Sequence, residues 1–512
     1  MADENSNAAG KVFLVGAGPG DPGLLTVRGR ALLASADLVL YDGLVNPLLL
    51  RIARGVCERT ARTRTAGQRI VPQEDINDRL VAEARAGRQV VRLKGGDPYI
   101  FGRGSEEAAA LAAAGIDYEV VPGITSATAA GEYAGFSFTH RRIASAVAFV
   151  TGHEDPTRSN SHLDYAALAA FPGTVVFYMG LGRVETICRE LIASGKPATT
   201  PAAVICKASL PQQRVVTGTL ETLAHIVHEA GLVPPSLIVV GECVNLREAH
   251  SWFEARPLFA QRIGITRAIE QADTVAEKIV RLSGQPVLLP LIQVRPLSAD
   301  QAQNCRQVLD DVRSFDWIVF TSPNGVQQFF AELSASGQDT RALGRAQVAA
   351  IGPSVQEALA DFGIVPDLLP ERYRAESLAE SLAPHVSGRR VLWVRASRGR
   401  DVLPEAIAQA GGQLTPLIVY NNEDLTDWSE EAVSLLRDGQ LDWVGLSSPA
   451  IARQFAAGLQ HYGLTQQQCG VKLASISPVT SAAAQEAGLT LHAEADEHTW
   501  DGILAAIGKA SA

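Results

Sequence analysis

The sequence has few of the residues that form disulfides, metal sites or membrane spans. Its six cysteines contain no Cys-x-x-Cys pair and its ten histidines are scattered, so we expect neither disulfides nor a metal site. No apolar run approaches the roughly 18 residues that cross a bilayer. The polar start Met1-Ala-Asp-Glu also lacks the basic and apolar regions of a signal peptide. These absences predict a cytoplasmic protein with no membrane partner.

The sequence also lacks an excess of basic residues. Its 45 lysines and arginines are outnumbered by 55 aspartates and glutamates, which gives a formal net charge of −10. Because a negative surface repels phosphate backbones, we expect no nucleic-acid partner. The 512 residues, 46% of them hydrophobic and 20% charged, have the composition of a large globular protein. This length suggests about three or four domains.

Three glycine-rich loops, each directly after an apolar strand pattern, are the most informative feature present. They are Gly16-Ala-Gly-Pro-Gly-Asp-Pro22, Lys94-Gly-Gly-Asp-Pro98 and Val121-Pro-Gly-Ile-Thr-Ser-Ala127. Glycine permits backbone angles closed to other residues and lets a ligand lie against the main chain. Open α/β sheets bind ligands at the carboxyl ends of their strands. We therefore expect the three loops to meet at one edge of a parallel sheet.

The first loop approximates a dinucleotide-binding pattern, and Asp42 follows it by about 20 residues. We reject that interpretation because Pro19 and Pro22 remove two amide donors and Asp21 places negative charge beside the loop. A phosphate is poorly received there. A phosphate-free, cationic nucleoside such as S-adenosylmethionine fits better.

Residues 11–253 resemble the uroporphyrinogen-III C-methyltransferases, which make precorrin-2. The resemblance implies a tetrapyrrole methyltransferase fold of two α/β domains, S-adenosyl-L-methionine as cofactor, and a homodimer formed through this half. Methylases of later precorrins share several loops and are a weaker alternative. Besides the three loops, the matching segments are Val39-Leu-Tyr-Asp42, Pro72-Gln-Glu-Asp-Ile-Asn77, Arg92 to Glu107, Thr139-His-Arg141, Thr151-Gly-His153 and Phe177-Tyr-Met-Gly180.

The resemblance also implies a set of cofactor-binding residues drawn from several loops. Met179 is the only internal methionine, and without its context it reads as a filler of a core gap. Ala208 stands where the family usually has glycine, and only its backbone is implicated. The implied set is Pro19, Gly95, Gly96, Asp97, Ile100, Thr125, Ser126, Met179 and Ala208.

For catalysis, the resemblance makes Asp42 the general base that removes a proton from the methylated macrocycle. The alternative is a carboxylate that caps a turn at the end of a strand. Arg64 occupies the place of a family lysine that donates protons. Since arginine stays protonated, binding a substrate carboxylate suits it better. Arg141 either binds the substrate or belongs to a solvated charged face.

After a predicted linker at 254–261, the second half contains an internal repeat. Phe320-Thr-Ser-Pro323 recurs as Leu446-Ser-Ser-Pro449, and the segment 351–358 recurs at 476–483. Strand patterns alternate with helix patterns throughout. We therefore expect two similar α/β domains with parallel sheets.

Residues 262–508 resemble the uroporphyrinogen-III synthases, which close the linear tetrapyrrole hydroxymethylbilane into uroporphyrinogen III. The resemblance implies one subdomain of about 262–296 plus 421–508 and another of 297–420. Tyr420 would assist loss of the hydroxyl group, or else it supports a hinge. The implied substrate-binding residues, which could equally be helix caps, are Thr321, Ser322, Ser447, Ser448 and Thr480.

The leading hypothesis is a bifunctional enzyme that makes uroporphyrinogen III and methylates it twice to precorrin-2. A rival hypothesis has an active methyltransferase joined to a non-catalytic tetrapyrrole-binding half. Two departures from the family pattern bear on this choice, namely Val355 in place of a threonine and Ser477 in place of a glycine. Val355 favours the rival, whereas Tyr420 and Arg395 favour activity.

Overall fold

The chain is described from a computed structural model over residues 10–60, 71–152, 163–247, 252–398 and 402–511. It divides into two compact units. One comprises Met1–Ile263, Ala276–Pro286 and Ile507–Ala512, and the other comprises Gly264–Val275 and Val287–Ala506. Within the described ranges, no helix is both long and apolar enough to cross a membrane. The predicted limits 11–253 and 262–508 stay predictions.

The first sheet has five parallel strands in the order β3-β2-β4-β1-β5. Its strands are β1 Lys11–Gly16, β2 Leu38–Asp42, β3 Val56–Thr60, β4 Gln89–Lys94 and β5 Tyr118–Val121. The accompanying helices are α1 Val27–Ser35, α2 Gln73–Arg85, α3 Gly104–Ala113 and α4 Ser126–Ala134.

Strand β1 is apolar on both faces, and this explains why helices cover both sides of the sheet. Val15 packs into a cluster with Leu33 of α1. The neighbouring Leu14 faces the other way and packs with Leu80 of α2 and Leu111 of α3. The helices cover the faces of the sheet, and the glycine loops lie at the carboxyl ends of its strands.

The second sheet of the first unit has the order β6-β7-β10-β8-β9. Only β6 and β7 pair in parallel, and the other pairs are antiparallel. Its strands are β6 Val147–Thr151, β7 Thr174–Tyr178, β8 Pro201–Cys206, β9 Arg214–Thr219 and β10 Ser236–Val240. Its helices are α5 Tyr165–Ala170, α6 Val184–Ala193 and α7 Leu223–Glu229.

The predicted linker at 254–261 is packed rather than extended in solvent. Glu254 accepts hydrogen bonds from the Gln213 amide at 3.0 Å and the Arg247 guanidinium at 2.6 Å. Leu258 has no exposed surface, and Phe259 packs against the buried Phe253. A cut in this segment would therefore remove packing from the first unit.

The second half contains two further sheets, in the orders β12-β11-β18-β19-β20 and β13-β17-β16-β14-β15. Apart from the antiparallel β13–β17 pair, the pairings described in the second of these sheets are parallel. The strands are β11 Arg262–Ile265, β12 Gln285–Leu288, β13 Ile292–Arg295, β14 Trp317–Phe320, β15 Gln347–Ala350, β16 Arg390–Ala396, β17 Gln413–Asp424, β18 Trp443–Leu446, β19 Lys472–Ser475 and β20 Ala493–Glu494.

The helices of this half are α8 Ala272–Arg281, α9 Ala299–Asp310, α10 Pro323–Ala335, α11 Pro353–Ala360, α12 Ala375–Leu382, α13 Val402–Gln409, α14 Glu430–Arg437, α15 Pro449–His461, α16 Gln466–Cys469, α17 Pro478–Glu486 and α18 Trp500–Ser511. The predicted repeat is confirmed in its local structure. Strands β14, β15, β18 and β19 each lead to a helix that begins with proline, after an N-cap residue with an extended backbone. Proline suits this first position because its missing N–H has no partner in a helix anyway.

Candidate functional sites

The three glycine loops lie side by side, as the sequence predicts. They follow β1, β4 and β5, which are neighbours in the parallel sheet. Gly18 and Gly96 exchange backbone hydrogen bonds of 3.2 Å and 2.8 Å, which ties the first loop to the second. The third loop packs so closely that a Cβ on Gly123 would lie 2.2 Å from the Gly96 carbonyl oxygen. Gly123 is therefore required by backbone contact alone.

Gly95 and Gly96 differ from Gly123 because they border open space. Within the described part of the chain, a Cβ on Gly95 would meet only the Leu44 Cβ at 3.4 Å, and one on Gly96 would meet nothing nearer than 3.8 Å. Gly96 has φ +71°, which a side chain would strain. The two glycines thus expose bare main chain at the sheet edge, where the sequence places a ligand.

The Asp97 carboxylate organises the loops around it. One oxygen accepts from the amides of Tyr99 at 2.8 Å and Ile100 at 3.1 Å, and the other accepts from the Gly123 amide at 3.0 Å. These bonds join the second loop to the third. Asp97 therefore holds the loops together, and its predicted contact with a cofactor stays a prediction.

Tyr178 is a residue of this site that sequence reasoning missed. Its hydroxyl lies 2.7 Å from the Thr125 Oγ1 and accepts from the Ala127 amide at 3.1 Å, at the beginning of α4. Its ring contacts that of Phe101, with centroids 4.8 Å apart. Burial raises the pKa of the Tyr178 hydroxyl. Tyr178 thereby connects the Ile100 loop with the predicted ligands at the start of α4, and its only sequence signal is its place beside Met179.

Backbone strain is concentrated in the loops that carry predicted cofactor residues. Of seven non-glycine residues with positive φ in the described ranges, five lie within three residues of Ile100, Met179 or Ala208. Such strain persists where the surrounding structure imposes it, often at ligand sites. Met179 is 54% exposed, so it does not fill a core gap. The five residues are Phe101, Arg103, Met179, Lys207 and Ser209.

The first loop also contacts the loop that contains Ala208. The Asp21 amide donates to the Ser209 Oγ at 3.2 Å, and a Cβ on Gly20 would lie within 3 Å of Leu210. Pro19, half-buried, lies just before these residues, and Ala208 is itself largely buried. The structure therefore links all the loops that supply the predicted cofactor set.

Asp42 ends β2 and forms an ion pair with Arg92 on the adjacent β4. The same carboxylate oxygen accepts from the Thr60 hydroxyl at 3.1 Å. The turn after the strand is closed instead by the Asp42 main-chain carbonyl, which accepts from the Val45 amide at 3.1 Å. These side-chain bonds orient the carboxylate across the sheet, and none of them is to an amide of the turn.

A buried group of charges behind Asp42 was also missed by sequence reasoning. Glu107 of α3 has no exposed surface and lies 3.0 Å from Arg92 Nε and 2.9 Å from Lys94 Nζ. Gln73 donates to it at 3.2 Å. Burial and the neighbouring Arg92 lower the pKa of Lys94. Burial also acts to lower the pKa of Arg92, but Asp42 and Glu107 outweigh it and raise that pKa.

The structure does not place the two predicted arginines, Arg64 and Arg141, at this site. Arg64 lies outside the described residues. Arg141 is exposed in the segment between α4 and β6, where both substrate binding and a solvated face stay open.

In the second half, Tyr420 is 5% exposed, and its hydroxyl lies 3.1 Å from the Ser322 Oγ. Burial raises the pKa of Tyr420. Ser322 also caps α10, since its Oγ accepts from the Gly325 amide at 2.9 Å. Thr321 accepts from the Trp393 indole at 3.2 Å. The structure thus brings these three predicted residues together at the carboxyl edge of one sheet.

At the corresponding edge of the other sheet, Ser447 follows β18 and Ser448 caps α15, accepting from the Ile451 amide at 3.2 Å. Thr480, in the first turn of α17, has no exposed surface, and its hydroxyl lies 3.2 Å from the Ser477 Oγ. Thr480 is therefore a buried cap residue in this conformation, and its predicted contact with the substrate stays a prediction.

Comparison with known proteins identifies both halves. The family model described as Tetrapyrrole (Corrin/Porphyrin) Methylases matches residues 11–224. The model described as Uroporphyrinogen-III synthase HemD matches residues 273–505. The chain therefore belongs to the tetrapyrrole methylases in its first half and to the uroporphyrinogen-III synthases in its second. The predicted fusion and its α/β fold class are confirmed.

One relative covers most of both halves, and others cover a smaller part of the chain. Porphyrin biosynthesis protein HemD of Ruminiclostridium josui is 34% identical over 454 residues, covering 88% of this chain and 89% of that protein. Uroporphyrinogen-III C-methyltransferase of Bacillus subtilis is 40% identical over 334 residues, covering 65% and 68%. A solved structure of uroporphyrin-III C-methyl transferase from Thermus thermophilus with S-adenyl homocysteine is 40% identical, covers 46% of this chain and all of that chain, and has a TM-score of 0.40.

Proposed function

We propose that the chain closes hydroxymethylbilane to uroporphyrinogen III in its second half and methylates that product twice in its first half, giving precorrin-2. S-adenosyl-L-methionine is the methyl donor. The observation that carries the methyltransferase assignment is the set of linked loops with bare main chain at Gly95 and Gly96. The donor is a cation without phosphates, and these loops offer it main-chain groups at Gly95 and Gly96, whereas a phosphate favours a helix N-terminus rich in amide donors.

In the proposed methylation, the loops position the methyl donor and Asp42 removes a proton. Holding the sulfonium methyl in line with a pyrrole carbon supplies most of the acceleration, because positioning removes the entropy cost of bringing the reactants together. The carbon–methyl bond forms as the carbon–sulfur bond breaks, and a proton then leaves the macrocycle. Asp42, oriented by Arg92 and Thr60, accepts that proton.

Valine in place of the family threonine at residue 355 does not argue strongly against synthase activity. Val355 is 1% exposed and belongs to the core cluster around β14 and α10. Its repeat counterpart, Thr480, bonds the Ser477 hydroxyl, whereas the counterpart of Ser477 is Gly352, which has no hydroxyl to offer. Valine at 355 therefore fits its own repeat, and it gives the non-catalytic rival little support.

The proposed synthase reaction needs shape more than acid–base chemistry. The substrate loses a hydroxyl group, and its last pyrrole ring inverts through a spiro intermediate before the macrocycle closes. Tyr420, with its raised pKa, keeps its proton at neutral pH and can donate a hydrogen bond to the departing hydroxyl. Ser322 contacts the Tyr420 hydroxyl, and Thr321, the preceding residue, accepts from the Trp393 indole.

The full chain supplied with hydroxymethylbilane alone is expected to give the type III macrocycle, because spontaneous closure without ring inversion gives type I. Adding S-adenosylmethionine is expected to convert this product to the dimethylated precorrin. Chromatographic isomer composition is the measurement. Type I isomer alone, with continued methylation of supplied uroporphyrinogen III, would show that the second half only binds tetrapyrroles.

Cofactor binding is expected to depend on the open face of Gly95. Among the residues that the structure describes, a methyl group at Gly95→Ala meets only Leu44, so the fold should be retained while the methyl occupies ligand space. We expect S-adenosylmethionine to bind at least about 10-fold more weakly in calorimetry. Gly95 tests this better than Gly96, whose positive φ would add strain. Type III formation by the second half is the internal control, and undiminished affinity would contradict the cofactor site.

A further inference from the structure

Arg267 is a half-buried arginine with no carboxylate beside it in the part of the chain that the structure describes. Its Nε donates to the Gln271 amide oxygen at 3.1 Å. Burial lowers the pKa of Arg267, and among the described residues no acidic group acts against that effect. The buried Arg92 provides the contrast, because two carboxylates pair with it and raise its pKa.

An arginine in this situation is costly to the fold by itself. Taking a guanidinium out of water without a counterion is unfavourable, and a single neutral amide replaces little of its hydration. The group does not escape by losing its proton, since arginine remains charged. A bound anion would satisfy it, and a carboxylate matches the guanidinium fork with two parallel hydrogen bonds.

The position of Arg267 indicates which anion. Thr266, directly before it, donates its hydroxyl to the Gly445 carbonyl at 2.6 Å. Gly445 lies in β18, two residues before Ser447. Arg267 therefore leaves β11 beside the loop that carries Ser447 and Ser448. Ser447 and Ser448 carry no charge, and the hydroxyl of Ser448 already accepts from the Ile451 amide. Arg267 therefore supplies the positive charge beside this loop.

We propose that Arg267 binds a side-chain carboxylate of the tetrapyrrole handled by the second half. This inference rests on the proposed synthase function for the identity of the substrate, which carries carboxylates on every ring. The guanidinium orients one end of the linear substrate, while the neighbouring serine loop offers hydrogen bonds.

The test replaces Arg267 by methionine, which keeps most of the aliphatic stem and removes the charge. For Arg267→Met we expect the KM for hydroxymethylbilane to rise about 10-fold or more, with a smaller change in kcat. The melting temperature is expected to stay level or rise, because an uncompensated buried charge is removed. A purely structural arginine would give the reverse, a lower melting temperature with unchanged KM.

Two comparisons make the test decisive. Arg341→Met removes an 87% exposed arginine of the same unit and should leave KM unchanged, whereas Arg267→Lys should recover part of the affinity. Binding of uroporphyrin III, followed by fluorescence, tests Arg267 even if the wild-type chain forms no type III isomer, in which case only the synthase proposal fails. Because the first half also binds the macrocycle, Arg267→Met is expected to lose one of two binding events. Equal uroporphyrin III affinities and equal KM values in wild type and Arg267→Met would overturn the inference.

Discussion

Replacing Asp42 by asparagine is expected to lower the single-turnover rate of methylation by about 10²-fold or more. The amide oxygen of Asp42→Asn can still accept from Arg92 and Thr60, so the local geometry should persist. What is lost is the negative charge that takes up the proton. Binding of S-adenosylmethionine should be retained, because the cofactor loops follow other strands. The rate is measured with enzyme in excess over uroporphyrinogen III.

The matched control is Asp37→Asn, at the other end of the same strand. The Asp37 carboxylate accepts from the Gln89 amide at 2.8 Å, so it is a structural carboxylate of the same sheet. We expect this variant to methylate at the normal rate per folded molecule. A normal rate in folded Asp42→Asn, accompanied by lower stability, would instead assign Asp42 to the ion-pair network alone.

The glycine loops could be predicted because their evidence is local. A strand pattern followed by glycine and proline specifies a turn at a sheet edge, and parallel order then places three such turns together. The sequence could not distinguish their glycines, however. Gly123 is excluded from carrying a side chain by the neighbouring backbone, whereas Gly95 faces open space, and only packing separates the two cases.

The buried charges and Tyr178 could not be predicted, because their contacts join residues that are distant in sequence. Arg92 meets Asp42 across two adjacent strands and Glu107 from a helix above them, so each partner is distant in sequence. Tyr178 meets Thr125 across two different sheets. From the sequence alone, Val355 indicates the loss of a threonine hydroxyl. In the fold, Val355 is a core side chain. A hydroxyl at this position would have no partner oxygen from residue 352, which is glycine in this repeat.

The last prediction concerns the stability of the buried charge group. Glu107→Gln keeps the shape of the side chain but removes its negative charge. Among the described residues, Asp42 is then the one carboxylate left near Arg92 and Lys94. Removing one partner from a buried ion pair costs about 3–5 kcal/mol. We expect the unfolding free energy of the first unit to fall by about that amount. Because the chain has two units, hydrogen exchange of the β4 amides in urea is the appropriate measurement.

The adjacent Glu106 supplies the control, and pH supplies a second criterion. Glu106 is 49% exposed and pairs with Arg103 at 2.7 Å, so Glu106→Gln should change stability by at most about 1 kcal/mol. In Glu107→Gln the pKa of Lys94 falls further below the ordinary 10.5, since the carboxylate that raises it is gone. The unfolded chain then binds more protons than the folded one, so the deficit should shrink as the pH rises from 7 towards 10. Equal small losses for both variants, or a deficit independent of pH, would show that the buried charges are not coupled as the distances imply.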